Sequence, residues 1–283
     1  MSAVHDPTVC TLGEGPLWHP ERGQLYWFDI LNHTLLTREG GETRRTEFDT
    51  YVSAAGWVDR DRLLVASAKA LLLHDLAAGT TEEVAALEAD NPVTRSNDGR
   101  ADPWGGFWIG TMGIDAEEGA GGIYRYYRGE LRKLYAPITI SNAICFSPDR
   151  RFAYFTDTPT QVIQRVALSE KDGWPSGDPE PWLDLSQDNW RPDGAVCDAQ
   201  GNLWNAQWGG FRVACYSSEG SFIRAVKFPA AQTTCPAFGG TTLYCTSAAE
   251  GLSDVHKEQH PLSGQTFVAT DIAEGQPEHQ VIL

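Results

Sequence analysis

One short pattern repeats six times along this chain, and its constant phase is the strongest constraint on the fold. An apolar or small-residue stretch leads into a turn, and a second short run rich in aromatic or β-branched residues follows. The pattern occurs as GEGPLWHPERGQLYWFD from Gly13, VSAAGWVDRDRLLVAS from Val52 and SNDGRADPWGGFWIGT from Ser96. It recurs as SNAICFSPDRRFAYFTD from Ser141, PDGAVCDAQGNLWNAQ from Pro192 and TTCPAFGGTTLYCTS from Thr233. Gly, Asp, Asn and Pro crowd the linking positions, the composition of hairpin turns between antiparallel strands. The second strands are expected to begin near Leu25, Leu63, Phe107, Ala153, Leu203 and Leu243. That spacing, roughly 40–50 residues, is the period of a propeller with four strands per blade.

The longest interval holds EKDGWPSGDPEPW from Glu170, a Gly/Pro-rich insertion in the fourth repeat. No long apolar stretch has helical spacing. An ordinary β-sandwich would give hairpins but no reason for six of them to share one internal phase. The expectation is therefore all-β: a six-bladed β-propeller with four antiparallel strands per blade, one domain over residues 1–283. The strand-like SGQTFVATD from Ser263 should let the chain ends meet in one blade.

The phase also predicts a ring. Four residues before the anchors Trp18, Trp57, Ala101, Phe146, Cys197 and Phe238 stand Glu14, Ser53, Asn97, Asn142, Asp193 and Thr234. The first strand of a blade is innermost, so these six should face a central channel. All carry oxygen and none is large and apolar. Two carboxylates across a narrow channel repel and are costly to desolvate. A divalent cation relieves both problems, and oxygen donors favour Ca²⁺, Mg²⁺ or Mn²⁺, with Zn²⁺ a less natural fit. A polar channel filled with water alone accounts for the same residues, and both readings stand at this point.

Lys and Arg number 22 against 38 Asp and Glu, a net charge of −16. Such a surface repels nucleic acid and anionic lipid. MSAVHDPTVC at the start has no basic stretch before an apolar run, and no segment has the apolar length of a membrane span. Six cysteines without a CxxC pair read as buried free thiols, which predicts a cytoplasmic setting. The seven histidines show no HExxH spacing, no G-x-S-x-G elbow is present, and the glycine runs lack the context of a nucleotide loop.

LGEGPLW, RSNDGRADPWGGFWIGTM, ISNAICFSPD and RPDGAVCDAQGNLW occur in this order, and the likeness continues to SGQTFVATDIAEGQPE. Together they resemble the gluconolactonase, regucalcin (senescence marker protein) and luciferin-regenerating enzyme family. The resemblance implies a six-bladed propeller with one divalent metal, hydrolysing a sugar-acid lactone. It places the metal ligands on Glu14, Asn142 and Asp193, and substrate contacts on Arg95 and Asn97. A family carboxylate three residues after GTM falls on Asp115, a shorter acid, with Glu117 and Glu118 as neighbours that could take the contact. Singly, each of these residues has an ordinary reading as a turn former, a cap or a surface charge; Asp98 is read as structural. Trp190, Asn205 and Trp208 fall near the predicted mouth, as pocket walls or as core.

The mechanism so implied has the cation polarising the lactone carbonyl, with water activated either at the ion or by Asp193 as general base, the catalytic residue. Two alternatives stand beside it: a calcium-binding regulatory propeller without turnover, and a metal-dependent esterase or organophosphate hydrolase. The sequence leaves the sugar, the native metal and the oligomeric state open.

Overall fold

The computed structural model describes residues 2–283 and contains six four-stranded antiparallel sheets. Blades 1 to 5 each use consecutive strands, innermost first. Their inner strands are Gly13–His19, Val52–Asp59, Thr94–Ala101, Ser141–Phe146 and Arg191–Cys197. Blade 6 takes Thr233–Gly239, Thr242–Ser247 and Thr266–Ala269 from the end of the chain, and Ala3–Asp6 from its beginning as the outermost strand. The chain ends therefore meet in one blade, as the sequence predicts. Each inner strand packs against those of its two neighbours, and the first touches the last, which closes the ring. This is a six-bladed β-propeller. The second strands begin within one residue of the predicted starts, from Gln24–Asp29 to Thr242–Ser247.

Packing follows the repeat. Inner strands are buried almost throughout, whereas outer strands such as Glu42–Glu47 are largely exposed. Large apolar side chains fill the seams between blades. Phe28 and Ile30 meet Leu63 and Val65 between blades 1 and 2, and Trp108 meets Phe146 and Phe155 between blades 3 and 4. Trp204 and Phe267 fill the seam of blades 5 and 6, and Trp27 and Ala237 that of blades 6 and 1. These sheet-on-sheet contacts bury side chains of both faces and carry most of the hydrophobic stabilisation. The fourth-repeat insertion folds outward onto blade 3, where the Arg125 guanidinium lies 4.5 Å from the Trp174 ring and 2.7 Å from Asp102. One helix, Asp254–Gln259, interrupts the link between the second and third strands of blade 6. All six cysteines are buried free thiols, as expected.

Every inner strand carries a register shift beside its ring residue. The shifts fall between Glu14 and Leu17, Val52 and Ala54, Ser96 and Gly99, Asn142 and Cys145, Pro192 and Ala195, and Thr233 and Pro236. A bulge bends the strand and re-aims a side chain; of the six expected ring residues Glu14, Asn97, Asn142 and Asp193 line the open end of the channel, whereas Ser53 and Thr234 are fully buried, bonded to the Ser96 hydroxyl and the Gly13 carbonyl. Glycine follows both carboxylate positions because nothing larger fits. A Cβ on Gly15, whose φ is +51°, would stand 2.1 Å from the Ser53 carbonyl oxygen, and one on Gly194 would stand 2.3 Å from Cys235 Sγ.

The other end of the channel is closed by the C-terminal segment. It leaves blade 6, passes Phe146, Cys197 and Phe238 at the far ends of the inner strands, and docks on blades 2 and 3. Val281 N–H donates to the Trp57 carbonyl at 2.8 Å and its side chain is fully buried. Glu278 forms a buried ion pair with Arg100 of blade 3.

Candidate active site

The open end of the channel is a cavity of about 440 Å³. Glu14, Arg95, Asn97, Asp115, Asn142 and Asp193 all line it. The structure thus brings together every site residue expected from the sequence. Glu117 and Glu118 stay outside: Glu117 Oε2 turns back to accept from the Asp115 N–H at 3.1 Å, which leaves Asp115 as the acid of that loop facing the cavity. Trp208 is a wall of the cavity. Trp190 is instead packed under Arg212, 3.8 Å from its guanidinium. Asn205 is fully buried and donates to the backbone carbonyls of Asp193 at 2.9 Å and Gly194 at 3.2 Å, fixing the bulge that carries Asp193.

A chain of donors crosses the cavity floor. Arg95 donates to Asn97 Oδ1 at 2.8 Å, and Asn97 Nδ2 to Asn142 Oδ1 at 3.2 Å. Asn142 Nδ2 donates to Thr158 Oγ1 at 2.9 Å, and that hydroxyl to the Pro192 carbonyl at 2.8 Å. Each amide has one orientation in this chain. Asn142 therefore turns its oxygen to the channel, and a second lone pair on that oxygen stays free. Thr158 was not singled out by sequence reasoning; it lies in the short turn after the second strand of blade 4, outside the repeated pattern.

The charges are less settled than the hydrogen bonds. Burial drives the carboxyls of Glu14 and Asp193 well above the ordinary range; Asp98 adds repulsion to Glu14, and Glu14 and Asp98 both add it to Asp193. Asp98, fully inside the channel wall, is pushed up to about 6 by burial and accepts from the Ile144 N–H at 2.7 Å. The Gly15 N–H donates to Glu14 Oε2 at 3.0 Å, and the Glu14 and Asp193 carboxyls lie close enough to interact with each other. Two buried carboxylates facing each other with so little compensation fit a bound cation, because only an added positive charge lets both ionise. The donors are all oxygen, which suits a hard divalent ion. Among the described residues no three His, Cys, Asp or Glu side chains converge as a metal cluster. This set differs in drawing one of its three donors from an amide.

Fold and site together define a six-bladed propeller with an acidic, oxygen-lined pocket at one mouth of its channel, flanked by hydrogen-bond donors. The chain belongs to the SMP-30/gluconolactonase/LRE-like family, whose model matches residues 12–249. An L-arabinolactonase of Azospirillum brasilense is 36% identical over 92% of this chain and 88% of its own length. A 6-deoxy-6-sulfogluconolactonase of Pseudomonas putida is 34% identical over 93% and 92%. A solved structure from Agrobacterium tumefaciens, described as a calcium-binding protein, regucalcin, superposes with a TM-score of 0.98 at 40% identity, covering 100% of this chain and 98% of its own.

Proposed function

We propose that this protein hydrolyses the ring ester of a sugar-acid lactone, using one divalent cation held by Glu14, Asn142 and Asp193. The observation that carries this reading is the shared cavity: two buried carboxyls with no ion-pair partner within 4.0 Å among the described residues, an amide oxygen beside them and the Arg95–Asn97 pair line one mouth. The lactonase names of the relatives from Azospirillum and Pseudomonas support the same chemistry.

When bound, the ion supplies Lewis-acid polarisation of the ester carbonyl. The protein's own residues do the rest. Arg95, Asn97 and Asp115 orient the substrate's hydroxyls. Asp193, which lines the cavity, takes a proton from water as the water oxygen attacks the carbonyl carbon. The bond from that carbon to the ring oxygen then breaks, and the ring oxygen leaves with a proton as the alcohol of an open-chain acid. Asn205 and Thr158 hold the Asp193 bulge from below and from the side.

The Agrobacterium neighbour's description as a calcium-binding protein favours calcium as the ion here and keeps calcium binding without turnover as a second reading. A panel of aldonolactones, assayed by acid release with chelator and with Ca²⁺, Mg²⁺, Mn²⁺ or Zn²⁺ restored, tests both. Turnover that vanishes with chelator and returns with one ion is expected. Ion binding without turnover of any lactone would overturn the hydrolase reading, and turnover indifferent to chelator would overturn the role of the ion.

No helix among the described residues is long and apolar enough to cross a membrane. The buried free thiols agree with the cytoplasmic setting that we propose.

A further inference from the structure

Arg95 is placed unusually for a cation. Its side chain is only 4% exposed, yet no carboxylate among the described residues lies within 4.0 Å of its guanidinium. One terminal nitrogen is committed to the Ser96 carbonyl at 2.9 Å and to Asn97 at 2.8 Å. Its Nε is buried with no partner at all. A buried donor left unpaired costs free energy comparable to a lost hydrogen bond, and this under-paired guanidinium belongs to a side chain that lines the cavity, where an entering molecule can offer it an acceptor.

Two acids act on Arg95 from a distance, Glu250 and Glu14. Glu14 belongs to the cation position, which leaves Glu250 as the acid free to serve the cavity. Glu250 lines that cavity from blade 6, directly across the ring from blade 3, which carries Arg95 and Asp115. Its backbone is tied down. Gln232 Nε2 donates to its carbonyl at 3.1 Å, the adjacent Ala249 N–H donates to the Thr11 carbonyl at 3.0 Å, and Ala248 N–H donates to the Gln232 carbonyl at 2.9 Å. The exposed side chain extends from this fixed root. It has no ion-pair or hydrogen-bond partner of its own among the described residues.

The cavity thus has an under-paired guanidinium on one wall and an acceptor-only carboxylate on the opposite one. Hydroxyl groups suit both: one hydroxyl oxygen accepts from the guanidinium, and another hydroxyl donates to the carboxylate. A methylene satisfies neither. We propose that Glu250 is a specificity-determining residue of this cavity, accepting a hydrogen bond from a lactone hydroxyl on the side opposite Asp115 and thereby selecting hydroxylated lactones over plain ones. This rests on the lactone-hydrolase reading above and goes beyond it in naming a residue and the substrate feature that it reads. Sites built to pair a substrate hydroxyl discriminate strongly against analogues that lack it, because their own polar groups are then stranded.

The test compares the wild-type protein with Glu250→Gln and Glu250→Ala at saturating divalent ion. The probes are D-glucono-1,5-lactone and δ-valerolactone, which has the same ring without hydroxyls. Both are read as KM where turned over, and δ-valerolactone as a competitive Ki where it is not. A hydrogen bond to a charged group is worth about 1.5–3 kcal/mol, or roughly ten-fold and more in binding. Glu250→Ala should raise KM for the gluconolactone about ten-fold with kcat held within about three-fold, and leave the value for δ-valerolactone within about two-fold. Glu250→Gln, which keeps shape and one acceptor, should fall between. An unchanged gluconolactone KM in both variants would overturn the inference, and so would equal shifts for both lactones, which would mark a structural role. Absence of turnover of every aldonolactone in the panel by the wild-type protein would overturn the hydrolase reading and this inference with it; turnover by the wild type with indifferent variants would overturn this inference alone.

Discussion

Asn97 donates its amide to Oδ1 of Asn142 at 3.2 Å, and this one bond joins the cavity side proposed for substrate to the side proposed for the ion. Asn142 depends on it for orientation together with Thr158. Removing Asn97 should therefore be felt at the ion as well as at the lactone. Partners that orient a metal ligand typically contribute 10–100-fold to affinity. Asn97→Ala is expected to weaken divalent-ion binding about ten-fold by calorimetry, with no lactone present. Unchanged ion affinity would mean that Thr158 alone sets the Asn142 amide.

Charge should decide whether an ion is held at all. In the Glu14→Gln, Asp193→Asn double variant the cavity keeps its shape and loses both negative charges. Neutral oxygen donors alone bind a dehydrated divalent ion poorly. The purified double variant is expected to contain less than a tenth of the wild-type ion content by elemental analysis.

Asp193 and Arg95 should separate in kinetics. Asp193→Ala removes the residue proposed as both ion ligand and base, and the loss of one such electrostatic element costs about 10²–10³ in kcat. Arg95 and Asn97 both line the cavity, and Arg95 is proposed to contact substrate and not the ion. Arg95→Ala should raise KM more than it lowers kcat. Near-native kcat in Asp193→Ala would show that the base lies elsewhere.

Stability of the ion-free protein should depend on pH in a definite direction. The folded carboxyls of Glu14 and Asp193 are raised above their ordinary values. Their contribution is complete below the ordinary carboxylate range and is lost as pH rises through the folded values. Asp193→Asn should then stabilise ion-free protein at pH 8, by on the order of 1 kcal/mol or ~2–4 °C in Tm, and less at pH 5. Calorimetry with chelator checks this. Added calcium should reverse the order, because only the wild type gains by binding it.

The C-terminal closure has its own acid sensitivity. Burial pushes His279 down to about 4, so its stabilising effect is whole above the ordinary histidine value and is lost as pH falls from about 6.5 toward 4. His279→Gln should flatten the fall in stability over that range by up to about 1.4 kcal/mol per pH unit. Glu278→Ala, which strands the Arg100 charge, should cost about 3–5 kcal/mol at neutral pH.

The fold was legible because repetition makes phase visible: six hairpins with one spacing leave little choice of architecture. The same phase put Glu14, Asn142 and Asp193 in a ring of six, from which the family resemblance singled them out, and all three line one cavity. The bulges beside them were hidden, because a register shift leaves no mark on residue type except where crowding demands Gly15 and Gly194. Asp115 could not be separated from Glu117 and Glu118 by sequence, since the choice depends on a loop hydrogen bond. Glu250 and Thr158 lie in connections that differ from blade to blade, so no repeat pointed to them. Arg100 and Glu278, 178 residues apart, meet only after the ring has closed.

That last contact also governs traffic. On the proposed reading, with the tail across one end, lactone, open-chain acid and ion would share the one open mouth, which Arg95 and Glu250 line. A lactone held there would lie between the proposed ion position and solvent. Exit through a single neck would be sequential, with the organic molecule leaving before the ion, so saturating lactone or acid should slow removal of the ion by chelator.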